Sequence, residues 1–237
     1  MARTYENSTH LVRTAILVDG AFYRKRSRSL LGHKTPKDRA DELVAYCLSH
    51  LHDKYEQRYL YRIFYYDCPP VNKNIYHPLT QRSVNLGRTD EYEWMNSFLN
   101  ELRHRRKFAL RLGRVSEGTI TYNIKPEITK QLFQNKISLE DITEKDFSIS
   151  LEQKGVDMRI GIDISSLAFK QQVNQIILIS GDSDFVPAAK QARREGIDFI
   201  LDPMRSPIKP DLYEHIDGIR TKIPLPKFDE KDLNDNQ

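Results

Sequence analysis

The stretch QIILISGDSDFVPAAKQARREG, residues 175–196, changes pattern in its middle. It begins as an apolar run of strand length, stops at Ser180–Gly181, and from Phe185 takes helical spacing until Gly196 supplies a natural C-terminal cap. A continuous apolar run, without polar alternation, marks a strand covered on both faces, as in a parallel sheet flanked by helices. Two carboxylates, Asp182 and Asp184, stand in the turn between strand and helix.

Outward from that unit the same alternation recurs. Thr14 to Val18 (TAILV) reads as a first buried strand, ended by Asp19–Gly20. In residues 35–55, Thr35 is an N-cap, Pro36 takes the first helical position and Asp38 the first turn. Ala40, Leu43, Val44, Cys47, Leu48 and Leu51 then share one face. YLYRIFYY, residues 59–66, is rich in aromatic and β-branched side chains and predicts a second strand. Thr89 to Arg106 predicts an amphipathic helix with Met95, Phe98, Leu99 and Leu102 inward, and residues 108–115 a third strand. Lys154–Val156 opens a helix carrying Val156, Ile160, Ile164, Leu167 and Ala168 on one side. Residues 175–180 are the fourth strand and DFILDP, 198–203, the fifth.

Strands alternating with helices predict a parallel, doubly wound α/β sheet in a single domain spanning residues 1–226. Residues 116–150 are expected to be an insertion or lid over one end of the sheet. There TITYNI (119–124) is a short strand, PEITKQLFQ (126–134) a short helix and ISLEDITEKDF (137–147) a loop. The tail 227–237 reads as disordered.

The 237 residues are 39% hydrophobic and 30% charged, the composition of a water-soluble globular chain able to bury a sizeable core. With 37 Lys and Arg against 33 Asp and Glu, the net charge of +4 permits nucleic-acid binding without arguing for it. No apolar run has membrane-spanning length, and the N-terminus lacks the apolar core of a signal peptide, so no membrane partner is expected. Two cysteines make neither a disulfide framework nor a zinc cluster, and the chain reads as cytoplasmic. A homo-oligomer stays open.

In a doubly wound sheet, ligands bind beyond the carboxyl ends of the strands, where strand order reverses. Asp19 directly follows the first strand, Asp182 and Asp184 follow the fourth, and Asp157 lies in the first turn of the helix leading to it. Converging carboxylates repel one another and are expensive to bury unpaired. A hard divalent cation such as Mg²⁺ or Mn²⁺ resolves that conflict, because it prefers oxygen ligands and can activate water against a phosphodiester. Each aspartate also has a local explanation: Asp182 as a helix cap, Asp184 and Asp157 as first-turn acids, Asp19–Gly20 as a turn. Asp67, after the second strand, is an extra candidate that the turn before Pro69–Pro70 explains equally well, and Asp163 falls on a different helix face from Asp157.

Arg24, Lys25, Arg26 and Arg28 follow Asp19 closely, where they would hold a phosphate backbone while Phe22 or Tyr23 stacks on a base. A solvated loop is the competing reading. Phosphate-binding Gly-rich motifs, HExxH and a defensible Ser-His-Asp set are all absent from the sequence.

Three blocks in this order, VDG (18–20), KGVDMRIGID (154–163) and SGDSDF (180–185), resemble the NYN-domain family of the PIN-like nuclease superfamily. FYRKR, YYDCPP and ARREG further resemble its bacterial branch. The resemblance covers roughly residues 14–205. It implies a three-layer α/β/α sandwich, PIN-like, with a mainly parallel sheet. It also implies Mg²⁺ or Mn²⁺ on Asp19, Asp157, Asp182 and Asp184, and metal-dependent ribonuclease activity, with RNA or another nucleic acid as partner. Arg24, Lys25 and Arg26 are then the expected nucleic-acid-binding residues. Where many relatives carry asparagine two residues after the VDG glycine, this chain has Phe22. That departure keeps a second reading in view, a non-catalytic RNA-binding or regulatory module.

Overall fold

Leu11–Asp19 forms β1, whose residues Ala15 to Val18 are fully buried. Their side chains alternate between two cores, Ala15 and Leu17 entering one and Ile16 and Val18 the other. The computed structural model describes residues 11–54, 56–116 and 120–223. In chain order the elements after β1 are α1 (Gly20–Leu31), α2 (Pro36–Ser49), β2 (Gln57–Asp67), β3 (Asn74–Tyr76), β4 (Ser83–Asn85), α3 (Asp90–Arg103), β5 (Phe108–Leu112) and β6 (Arg114–Val115). There follow β7 (Thr121–Ile124), α4 (Pro126–Phe133), β8 (Phe147–Ser150), β9 (Gln153–Lys154), α5 (Val156–Phe169), β10 (Gln175–Ile179), α6 (Val186–Arg194), β11 (Asp198–Asp202), α7 (Pro210–Tyr213) and β12 (Gly218–Ile219).

The central sheet has six strands in the order β12-β11-β10-β1-β2-β5, and every pairing in it is parallel. One core packs the sheet against α1, α2 and α3 through Tyr23, Leu43, Cys47, Phe98 and Leu99. The other packs it against α5, α6 and α7 through Ile160, Ile164, Ala189, Ala192 and Leu212. The fold is therefore a three-layer α/β/α sandwich, as expected of a PIN-like chain. Among the described residues no helix is long and apolar enough to cross a membrane.

Most helix ends follow local chemistry. Thr35 accepts the Asp38 N–H and starts α2, with Pro36 inside the first turn, and Thr89 accepts the Tyr92 N–H to start α3. Three features depart from the expected pattern. Residues 22–29 are helical rather than a loop, because Asp19 caps them and Tyr23 and Ser27 share a buried stripe under a charged face. The third strand breaks at Gly113, where a Cβ would stand 2.7 Å from the Lys154 carbonyl oxygen and 3.0 Å from Cys68 Sγ. The chain beyond that break leaves the sheet and pairs β6 with β9. A sixth strand, β12, adds two residues at the edge and is too short to carry a pattern.

Between β6 and β9 lies a small accessory unit. It holds the antiparallel pair β7–β8, α4 without a buried residue, and two tight turns closed by the Ser138–Asp141 and Thr143–Asp146 capping boxes. The His77 ring, between β3 and β4, packs on Tyr122 and Phe147 and joins this unit to the β3–β4 hairpin. The expected disordered tail 227–237 lies outside the described residues.

Candidate functional site

Strand order reverses between β1 and β10: from β1 the chain moves outward through β2 and β5, then returns to β10 on the other side. That reversal opens a crevice at the carboxyl ends of β1 and β10. Asp19 closes β1 and Ser180–Asp184 follows β10, so topology alone brings both segments to one edge.

The local hydrogen bonds draw them closer. Asp19 accepts the Phe22 backbone N–H at 3.1 Å and the Ser180 hydroxyl at 3.1 Å. The same Ser180 hydroxyl accepts the Asp182 N–H at 3.3 Å, so one side chain links the end of β1 to the turn after β10. Asp182 accepts the Asp184 N–H at 3.0 Å and caps the 3-10 turn Ser183–Phe185 that leads into α6. Asp182 is thus a cap in its geometry and still offers its second carboxylate oxygen.

Electrostatics connect the set to Asp157. Burial pushes the Asp19 carboxyl up to about 6, against the pull of its two hydrogen bonds, and the charges of Asp157 and Asp67 raise it further. Asp157, in the first turn of α5, is raised by partial burial and then by Asp182 and Asp184. Among the described residues none of these four carboxylates forms an ion pair with a lysine or arginine. Among the described residues, also, no three His, Cys, Asp or Glu side chains converge into a ready cation cage. Four carboxylates that repel one another offer the oxygen ligands that a hard divalent cation such as Mg²⁺ prefers.

The other expected residues divide. Arg24 makes a bidentate pair with Asp67 at 2.9 and 3.1 Å, and Asp67, fully buried, also accepts the Tyr65 hydroxyl and the Cys68 N–H. Asp67 is thus committed to internal partners and lies beside the site against Gly20, where an added Cβ would come within 2.5 Å of its Oδ2. Arg26 donates twice to the Met204 carbonyl. Lys25 is exposed and enters no ion pair among the described residues. Tyr23 is 1% exposed with its hydroxyl on Glu42, which leaves no face for a base. Phe22 lies over Gly181, where an added Cβ would come within 2.9 Å of its ring. Asp163 binds the Tyr66 hydroxyl and Arg111, outside the acidic set.

Two contributors were invisible to spacing arguments. Ser180 looks like the end of a strand, and its bridging role depends on β1 and β10 being neighbours. Lys209 comes from a segment without periodicity, yet its ammonium group donates to Ser183 Oγ at 3.0 Å and brings a cation to the rim of the acidic turn.

The NYN domain family model matches residues 72–208, more than half of the chain. Asp157, Asp182 and Asp184 fall within the matched range, and Asp19 and α1 precede it. Among solved structures the chain is similar to a protein of unknown function from Vibrio parahaemolyticus, with 16% identity, a TM-score of 0.45, and coverage of 91% of this chain and 95% of that one. No curated protein matches the chain.

Proposed function

The chain belongs to the NYN domain family, a PIN-like nuclease family, and from that premise we propose that it is a metal-dependent ribonuclease hydrolysing RNA phosphodiester bonds. The observation that carries this reading is the mutual repulsion of Asp19, Asp157, Asp182 and Asp184 at the strand-order reversal, with no basic side chain paired to them among the described residues. These four carboxylates would hold Mg²⁺ or Mn²⁺. When bound, such a cation supplies an activated water and electrostatic stabilisation of the charge that develops on phosphorus.

The chain's own groups have separate tasks. Ser180 holds Asp19 by its hydroxyl and the 182–184 turn by its oxygen, so the carboxylates of two strands keep one spacing. Asp19, whose carboxyl burial raises to about 6, must be ionised to hold the cation, so cation and proton compete for it near neutral pH. Asp184, exposed at the start of the 3-10 turn, is free to orient a nucleophilic water. Lys209 at the rim and Lys25 on α1 would attract the phosphate backbone, while Arg24 and Arg26 support the site through their internal partners.

The test is Asp182→Asn in an RNA cleavage assay with Mg²⁺ or Mn²⁺. A loss of about 100-fold or more in rate is expected, the scale of removing an electrostatic contact from a reacting centre. Undiminished cleavage by the purified variant sinks the assignment. A second reading, a non-catalytic RNA-binding module, is favoured by the absence of a closed three-carboxylate cage among the described residues and by Phe22 seated on Gly181. It predicts salt-sensitive RNA binding without cleavage under either cation.

A further inference from the structure

A cavity of about 460 Å³ lies between α1 and α3. Its size is that of a ligand site. One wall is the α1 stripe Ala21, Arg24, Lys25 and Arg28, residues three and four apart that share a helix face. Opposite stands Trp94 of α3, the chain's single tryptophan.

The charges on that wall differ in how far they are already spent. Arg24 is committed to Asp67, and Lys34, which also borders the cavity, pairs with Glu42. Lys25 and Arg28 are exposed and have no carboxylate partner among the described residues; Arg28 donates only to the His33 ring at 2.9 Å. Asp90 and Glu91, in the first turn of α3, border the other side, so an anion is held against α1 and not against α3. Trp94 is held in place: its indole N–H donates to the Lys34 carbonyl at 3.0 Å, and one face stacks on Phe98 at 5.0 Å between centroids. The ring is half-buried and borders the cavity.

The geometry points to a subsite for a single-stranded RNA segment, with phosphates on Lys25 and Arg28 and one base on Trp94. The proposal rests on the reading of the chain as one that acts on RNA. Ala21 lines the cavity two residues after Asp19, so the groove begins beside the acidic cluster and runs along α1. By helical rise, Lys25 and Arg28 stand about 9 and about 13 Å along the axis from Asp19. A strand cut at the carboxylates would therefore continue into this groove. An aromatic platform beside unpaired cations is the combination that binds single strands without reading their sequence.

The single tryptophan makes the test direct. The full-length protein is titrated with a single-stranded oligoribonucleotide in EDTA, following intrinsic fluorescence, with anisotropy of end-labelled RNA measured in parallel. Saturable quenching is expected. Lys25→Ala/Arg28→Ala should weaken binding by about tenfold or more and flatten the log Kd against log salt slope by about 1.4, the release expected for two phosphate contacts on a single strand. Trp94→Leu should weaken binding about tenfold by anisotropy, the scale of one lost base stack, with circular dichroism confirming the fold. RNA binding that leaves Trp94 emission unchanged, or a double variant with wild-type affinity and salt slope, overturns the subsite. Equal quenching by adenosine monophosphate overturns the strand and leaves a nucleotide pocket. Asp182→Asn separates the two hypotheses: loss of cleavage with intact quenching supports both, and quenching by a protein that never cleaves keeps the subsite while the ribonuclease reading fails.

Discussion

Asp19 does two jobs that pull in opposite directions. As N-cap of α1 it stabilises the fold, yet burial among other acids raises its carboxyl from 3.8 to about 6, so its charge costs stability at neutral pH. The sign follows from proton linkage. The folded carboxyl binds its proton more tightly than the unfolded one, so this group favours folding below about pH 4 and loses that contribution as pH rises through about 6. The loss amounts to about 3 kcal/mol at most. Asp19→Asn keeps an acceptor for the Phe22 N–H and removes the charge. In EDTA it should be more stable than wild type at pH 7, with the difference closing near pH 4, as read by urea unfolding. Added Mg²⁺ should raise the wild-type Tm and leave that of the variant unchanged; a variant less stable at both pH values contradicts the account. Gly20 is constrained by space. A Cβ there would stand 2.5 Å from Asp67 Oδ2 and 2.6 Å from the Tyr65 hydroxyl, so Gly20→Ala should cost about 1–3 kcal/mol in a thermal melt. The VDG triplet is legible as a motif, but the reason for its glycine is a contact with β2, which no spacing within the triplet reveals.

At the scale of elements, α1 shows what a hydrophobic pattern can and cannot carry. Its residues 22–29 hold four basic side chains, and its buried stripe consists of Tyr23 and Ser27, too sparse to register as amphipathic. The helix is held by its Asp19 cap, by Arg26 on the Met204 carbonyl and by Arg24 on Asp67. Arg24→Ala would leave a fully buried aspartate without its cation, and should destabilise by about 3 kcal/mol in chemical denaturation. A change below 0.5 kcal/mol would mean that the Tyr65 hydroxyl and Cys68 N–H suffice for Asp67 (about the size expected of a neutral surface change). The helices α2, α3, α5 and α6 behave differently. A threonine caps α2 and α3, α5 carries a dense apolar face, and α6 follows the Asp182-capped turn with Ala189 and Ala192 inward; each appears where its spacing placed it, within a few residues. Their information is local and needs no partner to be read.

For the whole molecule, the accessory unit between β6 and β9 is the informative case. It leaves the sheet at Gly113 and returns at Lys154, closed by the antiparallel β6–β9 pair, just ahead of Gly155 and the Asp157 turn. Because α4 buries nothing and the two cores lie elsewhere, the α/β/α sandwich should fold without it. Replacing residues 117–151 by an Asn-Gly turn, which suits a two-residue hairpin, should leave the circular dichroism of the sandwich intact and shift the Tm by only a few degrees, roughly the effect of 1–2 kcal/mol in a chain of this size. Collapse of the cooperative transition would show that the unit belongs to the core. The sequence by itself determined the alternation of strands and helices and the parallel sheet, and it put four aspartates at strand and helix ends, since burial on both faces and helical spacing are written residue by residue. Tertiary structure alone decided the Ser180 bridge between β1 and β10, the burial of Asp67 under Arg24, the approach of Lys209, and the cavity between α1 and Trp94. Each of these joins segments far apart in the chain, and their distances are set by strand order and packing, which no local pattern encodes. The SGDSD turn is a helix start by its own spacing; its place beside Asp19 comes from β10 lying next to β1.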